Sequence, residues 1–168
     1  AKETLSTEQQ STTEEIESTE SVTEAAENEV TEGASKENPV TFTDALGREV
    51  TVTSYDRVAA MIGSFADVWL LSGGELVATA NDSWESLDLD LGDDVVNLGS
   101  IQEPNTEALL AAQPDLVIAS TNTTSNVEME NMLTEAGITV AYFDVSDFDA
   151  YLHMLDICTD ITGRKDLY

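Results

Sequence analysis

The sequence predicts an α/β fold: a Rossmann-like, mostly parallel sheet with helices on both faces, preceded by a disordered acidic tail. Three observations predict it. From Arg57 onward, short apolar segments alternate with helix-length segments at βαβ spacing. Leu116-Val-Ile-Ala119 is apolar at every position, as a strand covered on both faces must be. Composition also changes sharply at Pro39.

Residues 1–38 hold eleven Glu, twelve Ser or Thr and two Lys, and their large apolar residues are Leu5, Ile16, Val22 and Val30. So little apolar area cannot offset chain entropy, which predicts a disordered linker over 1–38. An acidic Ser/Thr segment repels itself and extends, as a spacer does. A solvated helix over 14–29 is the alternative, opposed by the poor helix propensity of Ser and Thr.

Residues 39–168 form the folded part. Val40–Asp44 and Ala45–Thr53 read as two short strands around a turn at Leu46-Gly47. Val58–Ile62 is an apolar strand ended by Gly63-Ser64. Phe65–Ser72 is a helix stopped by Gly73-Gly74, and Leu76–Ala80 is the next strand. An acidic loop leads to a strand at Val95–Leu98. Thr106–Gln113 is a helix opened by Asn105 and closed by Pro114, and strand Asp115–Ala119 follows. A helix over Val127–Ala136, a strand over Ile138–Phe143 and a long helix over Asp147–Thr162 complete the pattern. Some 130 residues are enough to bury a core.

The chain has 168 residues, 34 acidic and 6 basic, for a net charge of −28. Two Lys against eleven Glu give the tail −9, and four cations against 23 acids give the folded part −19. Six cations cannot supply the basic patch that nucleic acid requires, and an anionic membrane surface repels such a chain. No apolar run approaches the roughly 18 residues of a spanning helix. The opening Ala1-Lys2-Glu3-Thr4 has no signal-peptide pattern. One Cys and one His exclude an internal disulfide and a zinc site built on several His or Cys.

Ligands of open α/β sheets sit beyond the carboxyl ends of the strands. Here those ends are Gly63-Ser64-Phe65, the polar loop Ser120–Asn126, and Asp144-Val145-Ser146. Ser64, Ser125 and Ser146 each precede an acid by three residues, a helix N-cap pattern that can coexist with ligand contact. Trp84, flanked by Asp82, Ser83 and Glu85, reads either as a stacking platform in a polar loop or as partly buried over the core. Asp88, Asp90, Asp93 and Asp94 lack the EF-hand pattern and read as a solvated loop. No G-x-G-x-x-G, phosphate loop or G-x-S-x-G occurs. His153 and Cys158 project about 140° apart on one helix. No catalytic residue, metal site or cofactor is therefore expected.

Thr43-Asp-Ala-Leu-Gly-Arg-Glu-Val-Thr-Val, Arg57-Val, Ser64 with Asp67, and Gly99-Ser-Ile-Gln-Glu-Pro-Asn-Thr-Glu-Ala-Leu-Leu-Ala-Ala-Gln-Pro-Asp-Leu-Val-Ile-Ala119 together resemble the N-terminal lobe of class III ABC-transporter substrate-binding proteins, carriers of iron-siderophores, haem and cobalamin. The resemblance covers residues 40–168 and implies one lobe of a two-lobe protein, the second lobe being absent from this chain. It places ligand contacts at Ser64, Phe65, Trp84, Ser120, Asn122, Thr123 and Asp144, and permease docking at Glu107. It implies ABC permease subunits as partners and a siderophore, haem or corrinoid as ligand. It also implies a cell-surface lipoprotein of a Gram-positive bacterium, or a periplasmic protein, held to the membrane only by a lipid anchor not present in this chain. Arg48, Arg57, Arg164 and Lys165 lie apart from the cleft loops, which favours a neutral or weakly charged ligand over a catecholate. A truncated or split fragment without transport activity, acting at most as a partner-binding module, is the alternative.

Overall fold

The computed structural model describes residues 30–168. Expectations for residues 1–29, the helix over 14–29 among them, lie outside the described residues. A hairpin comes first: β1 (Val40–Thr43) pairs antiparallel with β2 (Glu49–Val52), Val40 opposite Val52 and Thr43 opposite Glu49. Asp44 builds its turn. The Asp44 Oδ1 accepts from the backbone N–H of Leu46 and of Arg48, both at 3.0 Å, and Gly47 takes the positive φ of 77° that the turn requires. Arg48 then clamps the hairpin to the rest of the fold. Its guanidinium donates to Asp44 Oδ2 at 2.7 Å, to Glu130 at 2.8 Å and to the Val140 carbonyl at 2.9 Å. Burial works against this cation, but the bonds to Asp44 and Glu130 outweigh it and hold its pKa above the ordinary value.

Five parallel strands form the main sheet: β3 (Val58–Ala60), β4 (Ala78–Thr79), β5 (Val96–Asn97), β6 (Leu116–Ser120) and β7 (Thr139–Phe143). Their order is β5-β4-β3-β6-β7. The chain therefore runs outward from β3 to one edge, then returns to build the other half, so β3 and β6 flank the topological switch point.

Alternation along the strands feeds two cores. Val58, Ala60, Leu116, Ile118, Ala141 and Phe143 face one side, under α1 (Gly63–Leu71) and α6 (Phe148–Thr162). Ala59, Val117, Ala119, Val140 and Tyr142 face the other, under α3 (Thr106–Ala111) and α5 (Glu130–Glu135). β6 is buried at all five positions.

Several local expectations need correction. The single helix over Val127–Ala136 is two, α4 (Thr124–Glu128) and α5, broken at Met129. The segment around Trp84 is a short helix, α2 (Asp82–Glu85), not a loop. None of the three serines caps a helix. Ser64 already lies inside α1, Ser125 donates to the Ile101 carbonyl at 2.7 Å, and Asp147, not Ser146, accepts from Ala150 N at 2.8 Å. The boundary at residue 38 also moves. Thr31 N donates to Gly163 O and Ala34 N to Ile161 O, each at 2.6 Å, and Ala34 is buried. These bonds satisfy carbonyls that the C-terminus of α6 would otherwise leave open, so residues 31–34 belong to the folded body.

Candidate functional site

A cavity of about 400 Å³ opens at the switch point, lined among others by Ser64, Phe65 and Asp67 from α1, Ser120, Asn122 and Thr123 beyond β6, and Tyr151 of α6. Strand direction explains why these residues meet. β3 and β6 are parallel and paired at Val58–Leu116 through Ala60–Ile118, so both chains leave the sheet at the same edge. Phe65 is buried and packs edge-on against Phe143, with ring centroids 6.2 Å apart, which gives the cavity an apolar floor. The wall is polar. Ser120 Oγ accepts from Asn122 N at 3.1 Å, Ser120 N donates to Asn126 Oδ1 at 3.0 Å, and Asn122 Nδ2 donates to Asp144 Oδ1 at 2.8 Å. The loop after β6 is therefore held by its own side chains. On its far side lies a second cavity of about 310 Å³, lined by Ile101, Gln102, Thr124 and Ser125 and sharing Asn122 and Thr123.

Five of the expected contact residues thus come together: Ser64, Phe65, Ser120, Asn122 and Thr123. Two do not line the cavity. Trp84 sits half-buried on α2, and Asp144 reaches the site only through Asn122, lining instead a 130 Å³ cavity beside Asp44 and His153. Sequence reasoning missed Tyr151 and read Asp67 only as a capping partner. An available signal was the aromatic pair Phe148 and Tyr151 at helical i,i+3 spacing. Their rings stack with centroids 6.1 Å apart, yet Phe148 is 69% exposed, beside the cavity rather than in the core.

The electrostatics are one-sided. Every cation of residues 39–168 is committed elsewhere. Arg48 holds Asp44 and Glu130, Arg57 donates to the Ala112 carbonyl at the end of α3, Arg164 pairs with Asp166, and Lys165 pairs with Asp156 and Asp160. The N-terminus of α1, where an anion could bind, is already occupied: Asp82 Oδ2 accepts from Gly63 N at 2.8 Å. Asp67 stands on the cavity wall with no ion pair among the described residues. Cys158 is fully buried and its thiol is pushed up to about 12 by burial, so it is inert. Among the described residues no three His, Cys, Asp or Glu side chains gather as metal ligands, and no helix is long and apolar enough to cross a membrane.

Glu107 lies exposed in the first turn of α3, whose N-cap Asn105 accepts from Ala108 N at 3.0 Å. Asn105 N donates to the Leu98 carbonyl at 2.7 Å, which ties the start of α3 to the carboxyl end of β5. Glu107 forms no ion pair among the described residues.

Residues 58–168 match the family described as Periplasmic binding protein. The chain belongs to that family. This binding-protein chain also resembles solved structures. BauB, a siderophore binding protein bound to a complex of two acinetobactin molecules and ferric iron, is 22% identical with a TM-score of 0.62, over 77% of this chain and 48% of that one. SirA of Staphylococcus aureus, complexed with staphyloferrin B, is 19% identical with a TM-score of 0.61, over 76% and 44%. The catecholate-siderophore binding protein VctP of Vibrio cholerae is 19% identical with a TM-score of 0.62, over 76% and 47%. The binding-protein chain thus spans just under half the length of these structures, and at such identities the likeness is one of fold. No curated protein matches the sequence.

Proposed function

We propose that this chain is the solute-binding component of an ABC importer, taking an iron-siderophore or cobamide-type ligand in the switch-point cavity and docking on the permease through Glu107. The observation that carries the reading is the cavity itself. A family that binds solutes has here a concave, mixed apolar and polar site where α/β sheets hold ligands. Ser64, Phe65, Ser120, Asn122 and Thr123 contact the ligand; Asp144 positions Asn122; Trp84 has no place in this cavity. Binding makes and breaks no covalent bond. The protein works outside the cytoplasm, anchored by lipid or free in a periplasm, and the acidic tail serves as its spacer.

With no cation on the wall, a neutral hydroxamate or a corrinoid suits the cavity better than a catecholate anion. Walls from one lobe leave much of a ligand uncovered, so this chain alone binds weakly. Titration calorimetry against ferric hydroxamates, a ferric catecholate, haem and cobalamin tests the reading. Saturable heat from one class supports it. Heats of dilution alone throughout the series refute it, and submicromolar affinity for the chain alone refutes the argument from incomplete burial.

A further inference from the structure

We propose that the cavity selects a cationic solute, one bearing an ammonium group, and that Asp67 is its counter-charge. This rests on the solute-binding reading above, which disfavours an anion, and goes on to rank ligands bearing an ammonium group above uncharged ones.

Three observations carry it. Asp67 lines the cavity, is only half-buried, and has no ion pair among the described residues. The positive end of α1, which could have attracted an anionic ligand group, is neutralised from within by Asp82 at 2.8 Å. Tyr151 lines the same cavity, stacked on Phe148, so the wall offers a cationic ligand aromatic surface as well as a carboxylate. A carboxylate on a wall that also bears Phe65 and Val68 is poorly placed for an uncharged ligand, because covering it without a partner costs its hydration. An ammonium group removes that cost, and a tris-catecholate anion adds repulsion to it.

The test uses the 168-residue chain, ¹⁵N-labelled, titrated with two diamagnetic gallium(III) trihydroxamates that differ at one atom group. One is the desferrioxamine B complex, with a free ammonium tail. The other is its N-acetylated, uncharged form. Wild type should bind the ammonium form about three- to tenfold more tightly, the range expected of a partly exposed charge-assisted pair. Shifts should centre on the amides of Ser64, Asp67, Asn122 and Tyr151. Asp67→Asn should bring the ratio to one, and Asp67→Glu should restore the preference. Glu135→Gln, a charge loss on the exposed end of α5, should leave it intact and so separates the site from the general field of an acidic chain. Equal binding of the two forms by wild type overturns the charge proposal and leaves the solute reading standing. So does a preference that survives Asp67→Asn, which assigns it to the overall charge. Binding of neither form overturns the charge proposal, and the solute reading falls with it only if the calorimetric series also gives heats of dilution alone.

Discussion

Asp44→Ala tests whether the Asp-Ala-Leu-Gly-Arg turn is structural rather than part of the site. The side chain of Asp44 is fully buried, with five donors: Leu46 N, Arg48 N, Arg48 Nε at 3.2 Å, Arg48 Nη2 at 2.7 Å and, longest at 3.4 Å, Tyr142 N. The two turn amides sit near solvent, so water partly replaces their acceptor, at about 0.5–1 kcal/mol each. Breaking a buried ion pair by removing one partner costs about 3–5 kcal/mol when the other charge is stranded. Arg48 is not stranded. It keeps Glu130 and the Val140 carbonyl and is 29% exposed at its side chain, so the ionic part falls to about 1–2 kcal/mol. The total is about 3 kcal/mol, equivalent to roughly 10 °C in Tm for a domain of this size. Asp44→Asn keeps an acceptor for the turn and should cost about half as much. Urea unfolding followed by the fluorescence of buried Trp69 measures both. A loss under about 1 kcal/mol for Asp44→Ala, or equal losses for Ala and Asn, would refute this account of the clamp.

Further outcomes follow from the same contacts. Gly163 ends α6 at a φ of 74°, and a Cβ there would overlap the Thr31 carbonyl oxygen, a contact that must force the chain apart. Gly163→Ala should therefore cost about 2–3 kcal/mol and expose the Thr31 and Ala34 amides to hydrogen exchange. The Cys158 thiol rises from 9.0 to about 12 on burial. Below the unfolded value the buried thiol costs nothing electrostatically. Above it the unfolded thiol ionises and the folded one does not, so stability falls by about 1.4 kcal/mol per pH unit up to the folded value. Cys158→Ala should lack that component when urea midpoints are compared between pH 8 and 11. Glu107→Arg should leave ligand affinity unchanged and cost about 1 kcal/mol in stability, because it puts a cation at the N-terminus of α3, while abolishing transport by the complete importer, read as uptake of labelled solute; undiminished uptake would remove Glu107 from docking.

How much of this was legible in the sequence depends on the range of the forces involved. The strands were legible because burial on both faces leaves a local mark, as in Leu116–Ala119. Knowing where strands end locates the carboxyl edge and its segments Gly63–Phe65 and Ser120–Asn126, and the family resemblance singles out Ser64, Phe65, Ser120, Asn122 and Thr123 within them. The start of α1 was misread because its donor is satisfied from far along the chain. Gly63 N is capped by Asp82, 19 residues on, which no Ser-x-x-acid pattern encodes. α2 escaped because four residues carry no helical period. Tyr151 and Asp67 escaped because membership in the cavity depends on how α6 and α1 are rotated over the sheet, a property of packing rather than of local pattern.

Net charge, by contrast, was legible as a number but not as a place. The count of −28 says that cations are scarce, not where the few are held. Three of the four in residues 39–168 secure a joint of the scaffold, Arg48 the hairpin, Arg57 the end of α3 and Lys165 the segment after α6, while Arg164 pairs with Asp166 at the surface. Moving one to the cavity would leave a buried Asp44, an open helix terminus or a cluster of Asp156 and Asp160 without its counter-charge. The lack of positive charge around Asp67 is thus built into the stability of the fold. A change of ligand charge at this site requires a new cation on the wall, not the redeployment of an existing one.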